Sequence, residues 1–322
     1  MNDSKNLCLI IGAMPRCGSN YLNKLILKHP ATKKGSVVGE DKMLVNAHLI
    51  QKYIQLTHDI WLNDTAKDKD KKRLTNEMSI ALNKFLINSN NGSNKLIISK
   101  TPLTQGINLI NEFFKDAKVI ILIRNGRDAI ESGRKSFAWP YDVAINRYSN
   151  SLSRIKYFIE SENTNRSNIK VVKYEELFKN EKKSLEEILN FLSLDPNLYP
   201  FEEIQNMPVI GSSQSKNEND KNLNWKGFKK TETFDPTKRS SNWPKYLERN
   251  YYKKCTRLLL YFGYEAQTHQ IQSLNNLTDP ILILINNLKG IFKRAQHYSI
   301  SRIFKTIKSR IIRAFTLLIY GQ

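Results

Sequence analysis

Three short stretches carry cationic and hydroxyl side chains at spacings suited to an anion. The first is "IIGAMPRCGSNYLNKLI" (10–26). Gly12 and Gly18 permit a tight turn that aims backbone N–H groups inward. Arg16 adds a guanidinium, and Ser19 and Asn20 open a helix whose N-terminus favours negative charge. The GK[ST] ending of a nucleoside-triphosphate loop, with its magnesium-binding hydroxyl, is missing. The same residues also suit an ordinary strand–helix turn capped by Ser or Asn.

The second stretch is "VIILIRNGRDAIESGRKSF". A kinase often ends such a strand in a carboxylate for magnesium; here it ends in Arg124. Ser132 follows eight residues later on the next helix, so guanidinium and hydroxyl can converge on a dianionic phosphate. A salt bridge with Asp128 is the competing use of Arg124. The third stretch, "LIISKTPLT", places Lys100 just past an apolar strand, at the sheet edge where ligands of open α/β sheets bind.

The elements that must position these residues are legible as periodicity. Continuous apolar runs "LCLII", "KLIIS" (95–99), "KVIILI" (118–123) and "IKVVKY" (169–174) read as strands buried on both faces. Helical periods separate them: Tyr21 to His29, Ile107 to Phe114, Tyr141 to Glu160 and Leu185 to Leu192. The alternation predicts an α/β fold, a central parallel sheet with helices on both faces. Residues 42–90 read as a helical insertion, "SSQSKNENDKNLN" (212–224) as a polar loop, and 242–265 as a further helix closed by Gly263.

Together the stretches resemble the sulfotransferase superfamily, enzymes that use 3′-phosphoadenosine 5′-phosphosulfate. "PRCGSNYL" is similar to its 5′-phosphosulfate loop and "LIRNGRDAIES" to its 3′-phosphate motif. "HP" (29–30), "GED" (39–41), "SKTP" (99–102) and "VVKYEEL" (171–177) resemble, in order, the tyrosylprotein and bacterial carbohydrate branches. The likeness spans roughly residues 7–265 and implies a P-loop-like three-layer fold. It also explains the missing magnesium signature. The donor is already an adenylate, and the transferred sulfuryl carries less charge than phosphoryl, so fixed cations and N–H groups can replace a metal. No metal is expected.

The resemblance implies that Arg16, Cys17, Gly18, Ser19, Asn20 and Tyr21 surround the 5′-phosphosulfate, Arg16 also acting in the chemical step. It implies that Arg124 and Ser132 hold the 3′-phosphate, that Tyr174 contacts the donor, and that Lys100 stabilises the leaving oxygen. Glu40 or Asp41 is the implied general base. The spacer "ATKKGSVV" leaves the register between them open, and Glu40 is preferred for its reach. His48 is a third candidate, also readable as a helix-surface residue. Cys17 and Asn20 stand where the family usually has Ser or Gly and Thr. The late basic motif survives only as the partial echoes "NWKGFKK" and "TKRSSNW", from which Lys238 or Arg239 could close over the cofactor.

Composition bounds the remainder. Lys and Arg number 51 against 30 Asp and Glu, a net charge of +21 that implies an anionic partner. Nucleic acid is not expected, because no reading module accompanies the charge. Three scattered cysteines exclude a disulfide framework and suit a reducing, cytoplasmic compartment. The N-terminal apolar run reads as a strand rather than a signal peptide, and no stretch reaches the ~18 apolar residues of a membrane span. The expected organisation is a sulfotransferase domain over 1–275 and a basic amphipathic helical tail over 276–322. In that tail Ile303, Ile307, Ile311, Phe315 and Leu318 share one stripe. It can pack on the domain or lie on an anionic membrane surface. The expected acceptor is a hydroxyl of a carbohydrate or glycolipid; a small molecule, a protein tyrosine and a kinase reaction are the alternatives.

Overall fold

The computed structural model describes residues 6–35, 40, 42–59, 66–88, 95–137, 139–208, 235–237, 243–265, 282 and 285. Strands β1 (Leu7–Gly12), β2 (Thr32–Lys34), β3 (Leu96–Thr101), β4 (Lys118–Ile123) and β5 (Ile169–Lys173) form one parallel sheet in the order β2-β3-β1-β4-β5. The helices are α1 (Ser19–Ile26), α2 (Met43–Asp59), α3 (Ala66–Asn88), α4 (Ile110–Phe113), α5 (Gly126–Phe137), α6 (Tyr141–Glu160), α7 (Tyr174–Lys179), α8 (Glu181–Phe191) and α9 (Lys245–Tyr261).

β1 and β4 read as unbroken apolar runs because both of their faces are covered, whereas β5 at the sheet edge leaves Val171 exposed. Alternate residues point to opposite sides, and two cores follow from that parity. Leu7, Leu9 and Ile11 of β1 and Val119, Ile121 and Ile123 of β4 pack with α2, α5, α6 and α9. Cys8, Ile10, Ile120 and Leu122 pack against α1, α7 and α8. Lys100 shares the parity of Ile98, which lies in the second core, so its side chain leaves the sheet on the α1 side.

Three local readings change. Lys100 lies inside β3, paired with Ile10 of β1, rather than beyond the strand. The first helix ends at Ile26 instead of His29. The spacer "ATKKGSVV" contains β2, an edge strand too short and too lysine-rich to register as apolar periodicity. It is fixed by buried hydrogen bonds. Thr32 Oγ1 donates to the carbonyls of Ile26 (3.0 Å) and His29 (2.8 Å). His29 Nδ1 accepts the Ala31 N–H (3.1 Å), so Nε2 carries the ring proton and donates to the Asp195 carbonyl (3.0 Å). The expected insertion, 42–90, holds α2 and α3. The polar loop 212–224 and nearly all of the 276–322 tail lie outside the described residues. Among the described residues no helix is long and apolar enough to cross a membrane.

Candidate active site

β1, β3 and β4 end side by side, and the loops that leave them meet at one sheet edge. After β1 the chain turns through Arg16 (φ 84°) and Gly18 (φ 96°), both in the left-handed region. For Gly18 the requirement is steric as well: a Cβ there would lie 2.3 Å from the ring of Tyr174. Gly18 is the N-cap of α1, and no side chain caps that helix. Its carbonyl accepts the Tyr21 and Leu22 N–H groups at 2.9 and 3.1 Å. The N-terminus of α1 is thereby presented to the loop, as an anion cradle requires.

Arg16 joins this loop to the second motif. Its Nε donates to Ser132 Oγ at 3.1 Å, while its own carbonyl accepts from Arg124 Nη1 at 2.8 Å. Arg124 is buried, and its guanidinium lies 4.9 Å from the Tyr174 ring centroid, a cation–π contact. Nη2 donates to the Pro236 carbonyl, and Nε is buried without a partner among the described residues. The side chain is therefore held by carbonyls and a ring face rather than by the Asp128 salt bridge. Its positive charge is not neutralised by those contacts and stays available to an anion. Tyr21 meets Tyr174 edge-on at 6.4 Å. Cys17 is fully buried, its thiol pushed up to about 12 by desolvation, so it can serve an anion only through its main chain.

On the α1 side of β3, Lys100 Nζ donates to Asn20 Oδ1 at 2.5 Å and pairs with Glu40 Oε1 at 2.9 Å. The Lys100 side chain is 10% exposed and Glu40 50% exposed, so the cation is positioned by the protein while the carboxylate faces solvent. Asn20, standing where a threonine was expected, ties the loop to Lys100. Of the sequence-nominated residues, Arg16, Cys17, Gly18, Ser19, Asn20, Tyr21, Glu40, Lys100, Arg124, Ser132 and Tyr174 lie on this edge. Asp41, Lys238 and Arg239 lie outside the described residues. His48 is exposed on α2, with Nδ1 3.0 Å from the Val45 carbonyl.

Supporting residues were not legible beforehand. Glu131, next to Ser132, is buried, and one of its oxygens accepts from Tyr141 Oη (2.6 Å), Trp243 Nε1 (2.7 Å) and Arg134 Nη1 (3.4 Å). Arg127 pairs with Glu248 at 2.8 Å and lies 5.4 Å from the Trp243 ring centroid. These contacts fasten the start of α9 to α5, close in sequence to the 235–237 turn that receives Arg124. Glu175 accepts the Asn125 N–H at 2.8 Å and the Tyr264 hydroxyl at 2.9 Å, holding the turn after Arg124. Tyr148 donates to the Arg124 carbonyl at 2.8 Å. The signals available were Glu131 beside Ser132 inside a mainly cationic motif, and the "NWP" that precedes α9.

A cluster of this kind can hold two phosphate-type anions, the loop and Arg16 at one and Arg124 with Ser132 at the other, and can set a lysine and a carboxylate beside them. No curated relative matches the sequence. Solved structures similar to the chain include the sulfotransferase domain of the Synechococcus PCC 7002 olefin synthase (19% identity, TM-score 0.49, 80% of this chain and 94% of that one). A sulfotransferase domain from the curacin biosynthetic pathway is 18% identical (TM-score 0.49, 80% and 97%). A sulfotransferase from Alicyclobacillus acidocaldarius is 12% identical (TM-score 0.45, 81% and 97%). The profile described as "Sulfotransferase family" matches residues 9–197, more than half of the sequence. The chain therefore belongs to the sulfotransferase family, and is an enzyme of that family.

Proposed function

We propose that the chain transfers a sulfuryl group from 3′-phosphoadenosine 5′-phosphosulfate to a hydroxyl of a carbohydrate or glycolipid. The observation that carries the donor assignment is Arg16, whose side chain touches Ser132 while its carbonyl is gripped by Arg124. The 5′ loop and the 3′ motif are then two halves of one site. The residues fit a bisphosphorylated nucleotide: Arg124 keeps a buried, unpartnered N–H, and the α1 N-terminus is uncapped by any side chain.

The donor supplies the sulfuryl group and a bisphosphate that departs. Arg16 and the first-turn N–H groups of α1 orient the 5′ anion, and Arg124 with Ser132 holds the 3′ phosphate by charge-assisted hydrogen bonds. Lys100 presents its ammonium to the oxygen that gains charge as the sulfuryl group leaves. Glu40 accepts the proton of the attacking hydroxyl at Oε, and Asp41 is the alternative base. Asn20 holds Lys100 in place by an amide oxygen.

Calorimetry in EDTA tests the donor reading. Adenosine 3′,5′-bisphosphate binds far more tightly than 5′-AMP, and Arg124→Ala removes about 1.5–3 kcal/mol of that difference. Equal affinity for the two nucleotides removes the basis of the assignment. Transfer of radiolabelled sulfate from the donor to a lipid and glycan extract identifies the acceptor. A cytoplasm-facing site and docking of the basic tail on anionic membranes belong to the same proposal. Salt-sensitive flotation with anionic but not neutral vesicles supports the docking.

A further inference from the structure

One peptide unit orients both residues of the 3′ motif. Arg124 directly follows β4, and Asn125 directly precedes α5, whose second turn carries Ser132. The peptide between Arg124 and Asn125 is planar, so its carbonyl and N–H point in opposite directions and move as one body. Tyr148 Oη donates to the carbonyl at 2.8 Å, and Glu175 Oε1 accepts the N–H at 2.8 Å. The plane is gripped from α6 on one side and from α7 on the other. Asn125 passes the constraint on to α5. Its Oδ1 accepts the Arg127 N–H at 3.1 Å, and its carbonyl accepts the Ala129 N–H at 3.0 Å. Tilting this plane therefore moves the Arg124 side chain and the first turns of α5, Ser132 included.

Each grip has its own support. Gly126 leaves room for Tyr148, since a Cβ there would lie 2.4 Å from the Tyr148 ring. Glu175 is steered through its second oxygen, which accepts the Tyr264 hydroxyl at 2.9 Å. Tyr264 lies just past α9, where Gly263 (φ 69°) ends the helix and the Tyr264 N–H donates to the Leu259 carbonyl at 2.9 Å. Lys173 Nζ donates to the Gly263 carbonyl at 2.9 Å and lies 5.3 Å from the Tyr264 ring centroid. Burial, and then the Glu175 charge, push the Tyr264 hydroxyl well above its ordinary value of 10.0, so it stays protonated and donating. Unlike Arg124 and Ser132, Tyr264 lies outside the 9–197 stretch that the family profile matches.

We propose that Glu175 and Tyr264 are positioning residues for the 3′ phosphate. They hold Arg124 and Ser132 at the mutual placement that a 3′-phosphorylated nucleotide needs, and so set the preference for adenosine 3′,5′-bisphosphate over 5′-AMP. The proposal rests on the donor reading given above.

Calorimetry on the full-length protein compares the two nucleotides in the unaltered chain and in Tyr264→Phe, Glu175→Ala and Glu175→Gln. Tyr264→Phe keeps the ring against Lys173 and removes only the hydroxyl. It lowers bisphosphate affinity about fivefold, the size of one ordinary hydrogen bond, while 5′-AMP affinity is unchanged. Glu175→Ala releases the Asn125 N–H as well and lowers the preference further. Glu175→Gln retains it, because the amide oxygen accepts the Asn125 N–H while the amide nitrogen donates to the Tyr264 oxygen. Tyr264→Phe and Glu175→Gln decide the question even where Glu175→Ala does not fold. Weakening of both nucleotides by one factor is what a merely structural role produces, and it overturns the proposal. So does a preference that survives Tyr264→Phe, or one that Glu175→Gln loses. Equal affinity of the unaltered chain for the two nucleotides overturns the donor reading, and this proposal with it.

Discussion

Gly18→Ala perturbs the site at its tightest point, and its cost can be worked in two parts. The residue sits at φ 96°, where an L side chain adds about 1–2 kcal/mol. The new Cβ would also lie 2.3 and 2.4 Å from two carbons of the Tyr174 ring, well inside contact distance. Tyr174 is only 7% exposed and stacks on Phe178 at 6.2 Å, so the ring cannot swing into solvent without losing its packing. Overpacking of that kind costs about 1–3 kcal/mol. The sum, about 2–5 kcal/mol, lowers the thermal midpoint by roughly 4–20 °C at ~2–4 °C per kcal/mol. Because Tyr174 also faces Arg124, the displaced ring disturbs the proposed 3′-phosphate site, and the expected bisphosphate affinity falls with stability. Differential scanning calorimetry and nucleotide titration measure the two effects. Tyr174→Ala in the Gly18→Ala background removes the clash but not the φ strain. The double mutant is thus less damaged than the sum of the singles by about 1–3 kcal/mol. Strict additivity, or a Gly18→Ala protein with an unchanged midpoint, would refute the reasoning.

The remaining expectations concern the chemical step, the buried acid and the buried thiols. Lys100→Ala lowers turnover strongly while bisphosphate affinity stays within a few fold; of Glu40→Gln and Asp41→Asn only one matches that loss, and near-normal turnover in both would move the base elsewhere. Glu131→Ala strips the acceptor from Trp243 and Tyr141 and destabilises by about 2–4 kcal/mol, with Glu131→Gln retaining much of the stability, as urea unfolding can show. Burial raises Cys17 and Cys255 from an ordinary thiol value of 9.0 to about 12, so the folded state keeps protons that the unfolded state releases. Their contribution is whole below pH 9.0 and is lost as pH rises towards 12, so the urea midpoint at pH 10.5 falls below that at pH 8. An unchanged midpoint would show that the thiols reach solvent.

The sequence by itself determined the layered α/β fold, and it named most of the residues that the structure gathers at one sheet edge. Short apolar runs without alternation, bounded by turn residues, fit strands covered on both faces, and β1, β3 and β4 are such runs. β5, at the sheet edge, leaves Val171 exposed. Residues that act through local backbone geometry are also local in sequence. Gly18 at the helix start and Ser132 eight residues beyond Arg124 were legible for that reason. β2 was not, because a three-residue edge strand of Thr and Lys carries no apolar period and owes its place to hydrogen bonds from Thr32 and His29.

Only the tertiary structure decided which separate motifs touch. Arg16 and Ser132 are 116 positions apart and Asn20 and Lys100 are 80 apart, and no spacing rule joins them. It also decided what Arg124 is held by. A strand-end arginine followed by an aspartate reads as an ion pair, yet the packing offers it two carbonyls and a tyrosine face. Glu131 was invisible for the same reason: its partners arrive from α6 and from the start of α9, and a buried carboxylate is tolerated only because those donors converge on it.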